Sequence, residues 1–166
     1  PYLSETAEDL SARIDRAADA LDEGFDFIHV HTKAPDEAAH TKDPAAKVAA
    51  IEACDEGMAQ LFERELVSDE NLVIVTGDHG TPSGTRLIHS GDPVPLAAVG
   101  RHTWPDDVAA LDEKSCASGS LGHLAGSEFM PTILDLTDRV KYAGAKLTPA
   151  DAGFWPEEYP TLRVDD

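Results

Sequence analysis

The stretch V-I-V-T-G-D-H-G-T-P-S-G-T-R-L-I-H-S-G-D-P-V-P, residues 73–95, is the part of the sequence around which the rest is organised. A short apolar run ends at the adjacent Asp78 and His79, and a loop rich in Gly, Pro, Ser and Thr leads to His89. Apolar runs this short, bounded by glycine and proline, are typical of buried strands. Because ligands of an open α/β sheet bind beyond the carboxyl ends of its strands, this loop is the first place to look for chemistry.

Helix and strand patterns alternate before this stretch. Apolar residues at helical spacing predict a first helix over residues 4–21. Residues 25–32, F-D-F-I-H-V-H-T, are β-branched, aromatic and partly alternating, which predicts a strand, and residues 33–40 then read as a loop. Asp43 followed by Pro44 predicts the start of a second helix that ends near Ser68. One face of that helix is apolar, with Val48, Ile51, Met58, Leu61 and Leu66.

The second half of the chain continues the pattern. We expect a strand over residues 94–99, loop or a short helix over 101–111, and a last helix over 127–140. Such alternation predicts an α/β fold with a parallel or mostly parallel sheet covered by helices. Three strands make a thin sheet and the sequence opens directly at a helix. We therefore expect residues 1–166 to be a single domain, part of a larger fold, with an irregular tail over 146–166.

Composition excludes several classes of partner. The chain has 166 residues and a formal net charge of -19, which repels a phosphate backbone, so we expect no nucleic acid. The acidity fits either a solubility feature or an adaptation to salt. Cys54 and Cys116 give no disulfide framework, which favours a cytoplasmic location. No apolar stretch approaches the roughly 18 residues of a membrane span, and the start lacks a signal-peptide pattern, so no membrane partner is expected.

Five side chains are candidate metal ligands. They fall after predicted strands or inside the central loop, where a parallel sheet would gather them on one edge: Asp36, His40, Asp78, His79 and His89. Carboxylate oxygen and imidazole nitrogen together suit divalent ions such as zinc or manganese. Two neighbouring ions at such an edge are the usual machinery for phosphoryl or sulfuryl transfer. The alternative interpretation is that these are ordinary residues of an acidic surface.

Longer motifs add a family resemblance. The segment H-V-H-T-K-A-P-D-E-A-A-H, followed by K-V-A-A-I-E-A-C-D, resembles the cofactor-independent phosphoglycerate mutases of the alkaline phosphatase superfamily, in particular their archaeal-type branch. The blocks T-G-D-H-G-T-P, H-S-G-D-P-V-P and G-S-L-G-H-L-A-G-S-E-F-M-P-T-I-L-D-L follow in the family's order. Together they cover residues 25–144 and are similar to the C-terminal portion of a family member.

The resemblance implies an alkaline phosphatase-like, three-layer α/β/α fold and a set of roles. Asp36, His40 and His89 would hold one divalent ion, and Asp78 and His79 would help to hold a second, the ions being Mn²⁺, Zn²⁺ or Mg²⁺. The nucleophilic serine lies in a part of the family fold that this chain does not contain, so no catalytic residue is expected here. The serines that are present read as turn and cap residues: Ser83, Ser90, Ser118 and Ser120.

The activity implied is interconversion of 2- and 3-phosphoglycerate through a phosphoserine, with the isolated chain inactive. Alternatives are another phosphotransferase or hydrolase of the superfamily (a phosphatase, phosphopentomutase or phosphonate hydrolase) or a non-catalytic metal-binding domain. Lys33 and Arg86 could meet an anionic, phosphorylated substrate, or could be a solvated lysine and a plain loop arginine. The sequence leaves open whether the chain forms a homo-oligomer.

Overall fold

The computed structural model describes residues 9–84, 86–100 and 102–139, and the predicted tail over 146–166 lies outside them. Helices and strands are mixed along the chain, as expected for an α/β protein. In order they are α1 (Leu10–Asp22), α2 (Ala34–His40), α3 (Pro44–Met58), α4 (Gln60–Glu63), β1 (Leu72–Thr76), β2 (Leu96–Gly100), α5 (Glu113–Cys116) and α6 (Gly126–Leu136).

Helix α1 supplies most of the buried apolar side chains. It begins after Asp9, whose carboxylate accepts a hydrogen bond from the Ala12 amide at 3.0 Å and so caps the helix. Ile14, Ala17 and Ala18 are buried on one face, which confirms the predicted helix from Leu10 onward. Residues 4–8 of that prediction lie outside the described residues.

Helix α1 packs against α3 and α4. The contact with α3 is close at Gly57, where an added Cβ would lie 3.0 Å from Cβ of Leu10, so a larger side chain would push the helices apart. Just beyond α4, Arg64 spans two carboxylates of α1, with Nη1 at 2.8 Å from Asp15 and Nη2 at 2.7 Å from Asp19. Apolar contact and a forked ion pair thus hold these helices together.

Helix α3 begins as predicted and ends earlier. The Asp43 carboxylate accepts from the Ala45 amide at 2.9 Å, and Pro44 is the first helical residue. The helix ends at Met58 and α4 follows as a separate short helix. The prediction of a single helix that reaches Ser68 is therefore wrong. No residue of α3 is buried, and the side chains of its predicted apolar face include the exposed Val48 and Ile51.

Strands β1 and β2 confirm the two apolar runs as strands, and they pair antiparallel from Leu72↔Gly100 to Thr76↔Leu96. We expected a mostly parallel sheet, and this pair differs for a simple reason. Parallel neighbours need a crossover, usually a helix, and the described residues between the two strands, 77–84 and 86–95, contain none. The sheet of the described structure has only these two strands, which are too few to show the expected α/β/α layers.

Two predictions around residue 30 are wrong. Residues 25–32 form no strand, because no other segment of the described structure pairs with them, and Phe25 and Phe27 are exposed. Residues 34–40, predicted as loop, form α2, whose first turn contains Pro35, a residue favoured there because it needs no amide partner. The corrected α2 matters below, because it carries Asp36 and His40.

The C-terminal elements support the predictions in part. Residues 102–111 contain no helix, and the four-residue α5 follows. The predicted last helix is confirmed as α6, where Glu128 accepts from the Ala125 amide at 2.7 Å and Ile133 is buried, but the helix ends at Leu136 rather than near residue 140. Val140 lies outside the described residues. Within the described part of the chain, no helix has the length and apolar character needed to cross a membrane.

Candidate metal centre

Helix α2 presents two candidate ligands side by side. Asp36 and His40 are four residues apart, which places their side chains on the same helical face. Oδ1 of Asp36 lies 3.3 Å from Nε2 of His40. Ala39, between them in sequence, is fully buried, and α2 packs on α3. Packing against α3 therefore holds the helix that carries this pair of candidate ligands.

The loop between β1 and β2 folds back on itself at one bridge. The Ser90 amide donates to the Gly80 carbonyl at 2.8 Å in antiparallel fashion, which places Thr81 opposite His89. The rings of His79 and His89 consequently lie 4.1 Å apart between centroids. A Cβ at Gly80 would meet Oγ of Ser90 at 2.6 Å, so glycine allows this close approach.

Two lysines fasten this loop to the helices. Lys42, just after α2, donates from Nζ to the carbonyls of Pro82 at 2.9 Å and Leu87 at 2.6 Å. Lys47 of α3 donates to the Thr81 carbonyl at 2.8 Å. Neither lysine was expected to have a role, although Lys47 opens the K-V-A-A-I-E-A-C-D motif. They fix where the loop residues stand relative to α2.

The loop and α2 together bring three candidate ligands to one point. Asp36, His40 and His89 each offer a ligand atom, and these atoms lie within 4.8 Å of one another. Nδ1 of His89 is 4.0 Å from Oδ1 of Asp36, and the rings of His40 and His89 meet edge-on with centroids 5.3 Å apart. This is the set that the family resemblance implied for the first ion.

Asp78 and His79 stand beside this triad. Oδ2 of Asp78 lies 3.5 Å from Nε2 of His79, and the Asp78 carboxylate also accepts the His79 amide at 3.0 Å. Because His79 packs against His89, all five candidates form one continuous group, here called the ligand cluster (Asp36, His40, Asp78, His79 and His89). It lies at the end of β1, where the sequence predicted convergence.

Thr81 is a central residue of the site that was not predicted from the sequence. It is 5% exposed, and its Oγ1 lies 2.7 Å from Oδ1 of Asp36 and 3.1 Å from Nδ1 of both His79 and His89. The hydrogen bond from Thr81 holds the pKa of Asp36 below its usual value, and the three neighbouring histidines lower it further. Asp36 is therefore ionised at neutral pH, as a metal ligand must be.

The two suggested substrate contacts lie near the cluster in sequence. Lys33 immediately precedes α2 and Arg86 lies in the loop, and both are exposed. Within residues 9–84, 86–100 and 102–139, neither side chain has a hydrogen-bonded or ionic partner. Of the serines, Ser90 forms the loop bridge and Ser118 Oγ donates to the Ser115 carbonyl at 2.9 Å, as turn residues do.

The sequence pattern of the metalloenzyme superfamily matches residues 3–136, which include the whole ligand cluster. The chain belongs to the metalloenzyme superfamily. This match confirms the fold class expected from the sequence, because the resemblance pointed to an alkaline phosphatase-like metalloenzyme.

Individual members of the superfamily are similar to the chain over most of its length. It is 45% identical over 122 residues to a 2,3-bisphosphoglycerate-independent phosphoglycerate mutase 2 of Methanocaldococcus jannaschii, covering 74% of this chain and 27% of that protein. A 2,3-bisphosphoglycerate-independent phosphoglycerate mutase of Thermococcus gammatolerans is 36% identical over 138 residues, covering 82% of this chain and 33% of that protein. The chain thus spans about a third of these archaeal relatives or less, in their C-terminal part.

A solved structure is also similar to the chain. A protein of Pyrococcus horikoshii superposes with a TM-score of 0.74 at 33% identity, covering 82% of this chain and 40% of that protein. The resemblance stated from sequence motifs is therefore confirmed at the level of the family and of the C-terminal portion.

One pair of the triad has the spacing of two ligands on one divalent ion, whereas His89 stands further away, with its Nδ1 4.0 Å from Oδ1 of Asp36. Two ligands of a tetrahedral ion, each at about 2.1 Å from the metal, lie about 3.4 Å apart. The Asp36–His40 distance of 3.3 Å is close to this value. One carboxylate with two imidazoles is a donor set that suits zinc and other borderline ions. Asp78 and His79 provide only two donors, which is half of a site.

Proposed function

We propose that this chain is the C-terminal, metal-binding part of a phosphoglycerate mutase that interconverts 2- and 3-phosphoglycerate through a phosphoserine. The triad of Asp36, His40 and His89 carries the proposal, because its ligand atoms lie within 4.8 Å of one another. The relatives of the chain that support the proposal are named 2,3-bisphosphoglycerate-independent phosphoglycerate mutases. The assignment extends their named activity to this chain.

In this proposal, two divalent ions (Mn²⁺, Zn²⁺ or Mg²⁺) serve the reaction. Such ions activate the serine and neutralise the charge of the transferred phosphoryl group. Asp36, His40 and His89 hold one ion, and Asp78 and His79 supply part of the shell of the other. We assign the remaining ligands and the nucleophile to sequence outside the 166 residues, because no serine here stands in a matching motif.

The substrate is a phosphorylated small molecule in this proposal. Lys33 and Arg86 are exposed and have no polar partner among the described residues, which leaves both side chains available to an anion. Cys54 and Cys116 are free thiols, which supports a cytoplasmic location for the activity. Lysine and arginine number 13 in the whole chain against 32 acidic residues, so we expect no nucleic-acid partner.

Metal binding is tested by calorimetric titration of the chain with Mn²⁺ and Zn²⁺. Wild type should bind one ion, and His89→Ala should abolish binding, because two protein ligands rarely hold a labile divalent ion against water. His123→Ala removes an exposed histidine outside the ligand cluster and should leave binding unchanged. Equal uptake by wild type and His89→Ala would reject the triad.

The activity is tested in a chimera. This chain replaces the matching 27% of the Methanocaldococcus jannaschii relative, and a second chimera carries His89→Ala. The first should convert 3-phosphoglycerate and the second should not, while the chain alone should give no turnover. A folded, metal-loaded chimera that releases phosphate without isomerising would instead favour a hydrolase. Turnover of roughly 1–1,000 per second by the isolated chain would overturn the assignment of the nucleophile to another segment.

A further inference from the structure

Thr81 is the polar side chain at the centre of the ligand cluster. It is 5% exposed, and it is the buried polar residue among those the structure describes. Its hydroxyl oxygen contacts three members of the cluster, at 2.7 Å from Oδ1 of Asp36 and 3.1 Å from Nδ1 of both His79 and His89. Asp36 and His89 belong to the triad, whereas His79 pairs with Asp78. One hydroxyl therefore touches both halves of the cluster.

The three contacts restrict where the protons are. A threonine hydroxyl has one hydrogen to donate and two lone pairs that accept. An ionised carboxylate only accepts, so the hydrogen of Thr81 belongs to its short bond with Asp36. The hydroxyl then has only acceptor capacity left for the two imidazoles. Both Nδ1 atoms must therefore carry a proton if both 3.1 Å contacts are hydrogen bonds.

We propose that Thr81 is a positioning residue that holds His79 and His89 in the Nδ1–H tautomer, which leaves Nε2 of each ring unprotonated and free to bind a cation. The tautomer of a neutral histidine is set by the hydrogen bond that its other nitrogen makes. The use made of the two Nε2 atoms rests on the proposed function. The tautomers themselves do not, because they follow from the contacts of Thr81.

Two further observations support this assignment. Nε2 of His79 lies 3.5 Å from Oδ2 of Asp78, a longer contact than the 3.1 Å between its Nδ1 and Oγ1 of Thr81, so Thr81 is the nearer of the two groups that compete for the proton of this ring. Thr81 is also held from behind, because Nζ of Lys47 donates to its carbonyl at 2.8 Å. A hydroxyl fixed by its backbone can fix the groups around it.

The first experiment uses the wild-type chain without metal. Proton-detected nitrogen NMR of the histidine rings at about pH 8, above the ordinary histidine pKa of about 6.5, distinguishes the two neutral tautomers. The resonances are assigned with His79→Gln and His89→Ala. We expect a proton on Nδ1 of both rings. A proton on Nε2 of either ring would overturn the proposal, whatever the chain's affinity for metal.

The second experiment removes the hydroxyl. Thr81→Val keeps the shape of the side chain, and Thr81→Ser restores the oxygen. We expect Val to lose the fixed tautomers and to bind Zn²⁺ about 10–100-fold more weakly, the usual loss when the partner of a ligating histidine is removed, and Ser to recover both. The proposal would be contradicted if Thr81→Val kept the wild-type tautomers and Zn²⁺ affinity. It would also be contradicted if Thr81→Ser lost the tautomers and the affinity as fully as Thr81→Val.

Thr103→Val is the matched control. Its hydroxyl is part-buried, donates to the Gly100 carbonyl at 2.8 Å and accepts the Gly100 amide at 2.9 Å, outside the ligand cluster. It should leave tautomers and Zn²⁺ affinity unchanged. If Thr81→Val does not fold, wild type and Thr81→Ser still decide the matter, because both must show Nδ1–H. Predicted tautomers without any Zn²⁺ binding would reject the proposed function and keep the role of Thr81.

Discussion

In the ligand cluster, a single hydroxyl, that of Thr81, contacts Asp36, His79 and His89, whereas helix α3, which begins four residues after His40, has no buried residue. The polar residues of the cluster find partners far along the chain, since Thr81 and Asp36 are 45 residues apart. The apolar residues of α3, such as Ile51 at 49% exposure, do not. The two regions are neighbours, and Lys47 belongs to one while bonding to the other.

This difference between the ligand cluster and α3 shows that separate interactions determine the geometry of the site and the stability of the chain. Hydrogen bonds from Lys42 and Lys47 determine where the loop stands over α2, and they need no deep core. Apolar burial, which dominates folding free energy, is concentrated in α1, with Ile14, Ala17 and Ala18. We therefore expect the chain to assemble its candidate metal site through these hydrogen bonds while being only modestly stable.

The largest expected effect contrasts two isoleucines. Ile14→Ala should lower the free energy of unfolding by about 2–5 kcal/mol, because Ile14 is 3% exposed and its removal leaves a cavity. Ile51→Ala, the same change on α3, should cost about 1 kcal/mol or less, since nearly half of that residue is already in water. Urea unfolding of both variants measures this. Equal losses would show that α3 is buried in solution.

A glycine in the sheet gives the next effect. A Cβ at Gly100 would collide with the carbonyl oxygen of Asn71, so Gly100→Ala should cost about 1–3 kcal/mol, whereas Gly91 has open space and Gly91→Ala should cost little. Because lysines rather than the sheet hold the triad, the folded Gly100→Ala chain should keep its Zn²⁺ affinity. Denaturant melts and calorimetry test both parts. Loss of Zn²⁺ affinity in folded protein would tie the site to the sheet.

The smallest effect concerns a cap distant from the cluster. Asp112 caps α5, and its hydrogen bond from the Ser115 hydroxyl, followed by that from the Ser115 amide, holds its pKa below the usual value. A lowered folded-state pKa gives stability that is full above the unfolded value of about 3.9 and is lost as pH falls through the folded one. Asp112→Asn should therefore melt slightly below wild type at neutral pH and converge with it in acid. A difference in melting temperature that grows in acid would contradict the assigned role of the Asp112 carboxylate.

Local signals in the sequence predicted much of the fold. Asp43 and Pro44 mark the start of α3 by chemistry that needs no tertiary partner, a capping carboxylate and a ring without an amide hydrogen. The runs that became β1 and β2 are short, apolar and bounded by glycine and proline. The spaced motifs indicated the family, and they contain all five members of the ligand cluster.

Features that depend on a distant partner were not predictable in the same way. Residues 25–32 have the composition of a strand, but a strand needs a neighbour to accept its hydrogen bonds, and no described segment provides one. The His31 carbonyl is instead bonded to Arg13 Nη1 at 2.9 Å. Thr81 looks like any loop threonine in sequence, and its role appears only when the Gly80–Ser90 bridge places it opposite His89.

The loop prediction for residues 34–40 could have been improved from the sequence. Asp36 and His40 stand at the spacing of one helical turn, Pro35 suits a first turn, and two alanines lie between the ligands. The antiparallel pairing could also have been anticipated, since residues 77–95 contain no helical pattern for a crossover.

The most direct test of the central claim, a divalent ion held by Asp36, His40 and His89, is X-ray absorption of the chain loaded with one equivalent of Zn²⁺. We predict nitrogen and oxygen neighbours at about 2.0–2.2 Å with outer-shell scattering from two imidazoles. His89→Ala should lose the bound ion. His29→Ala, which replaces an exposed histidine outside the ligand cluster, should leave the spectrum unchanged. A shell without imidazole, or with sulfur at about 2.3 Å from Cys54 or Cys116, would contradict the account.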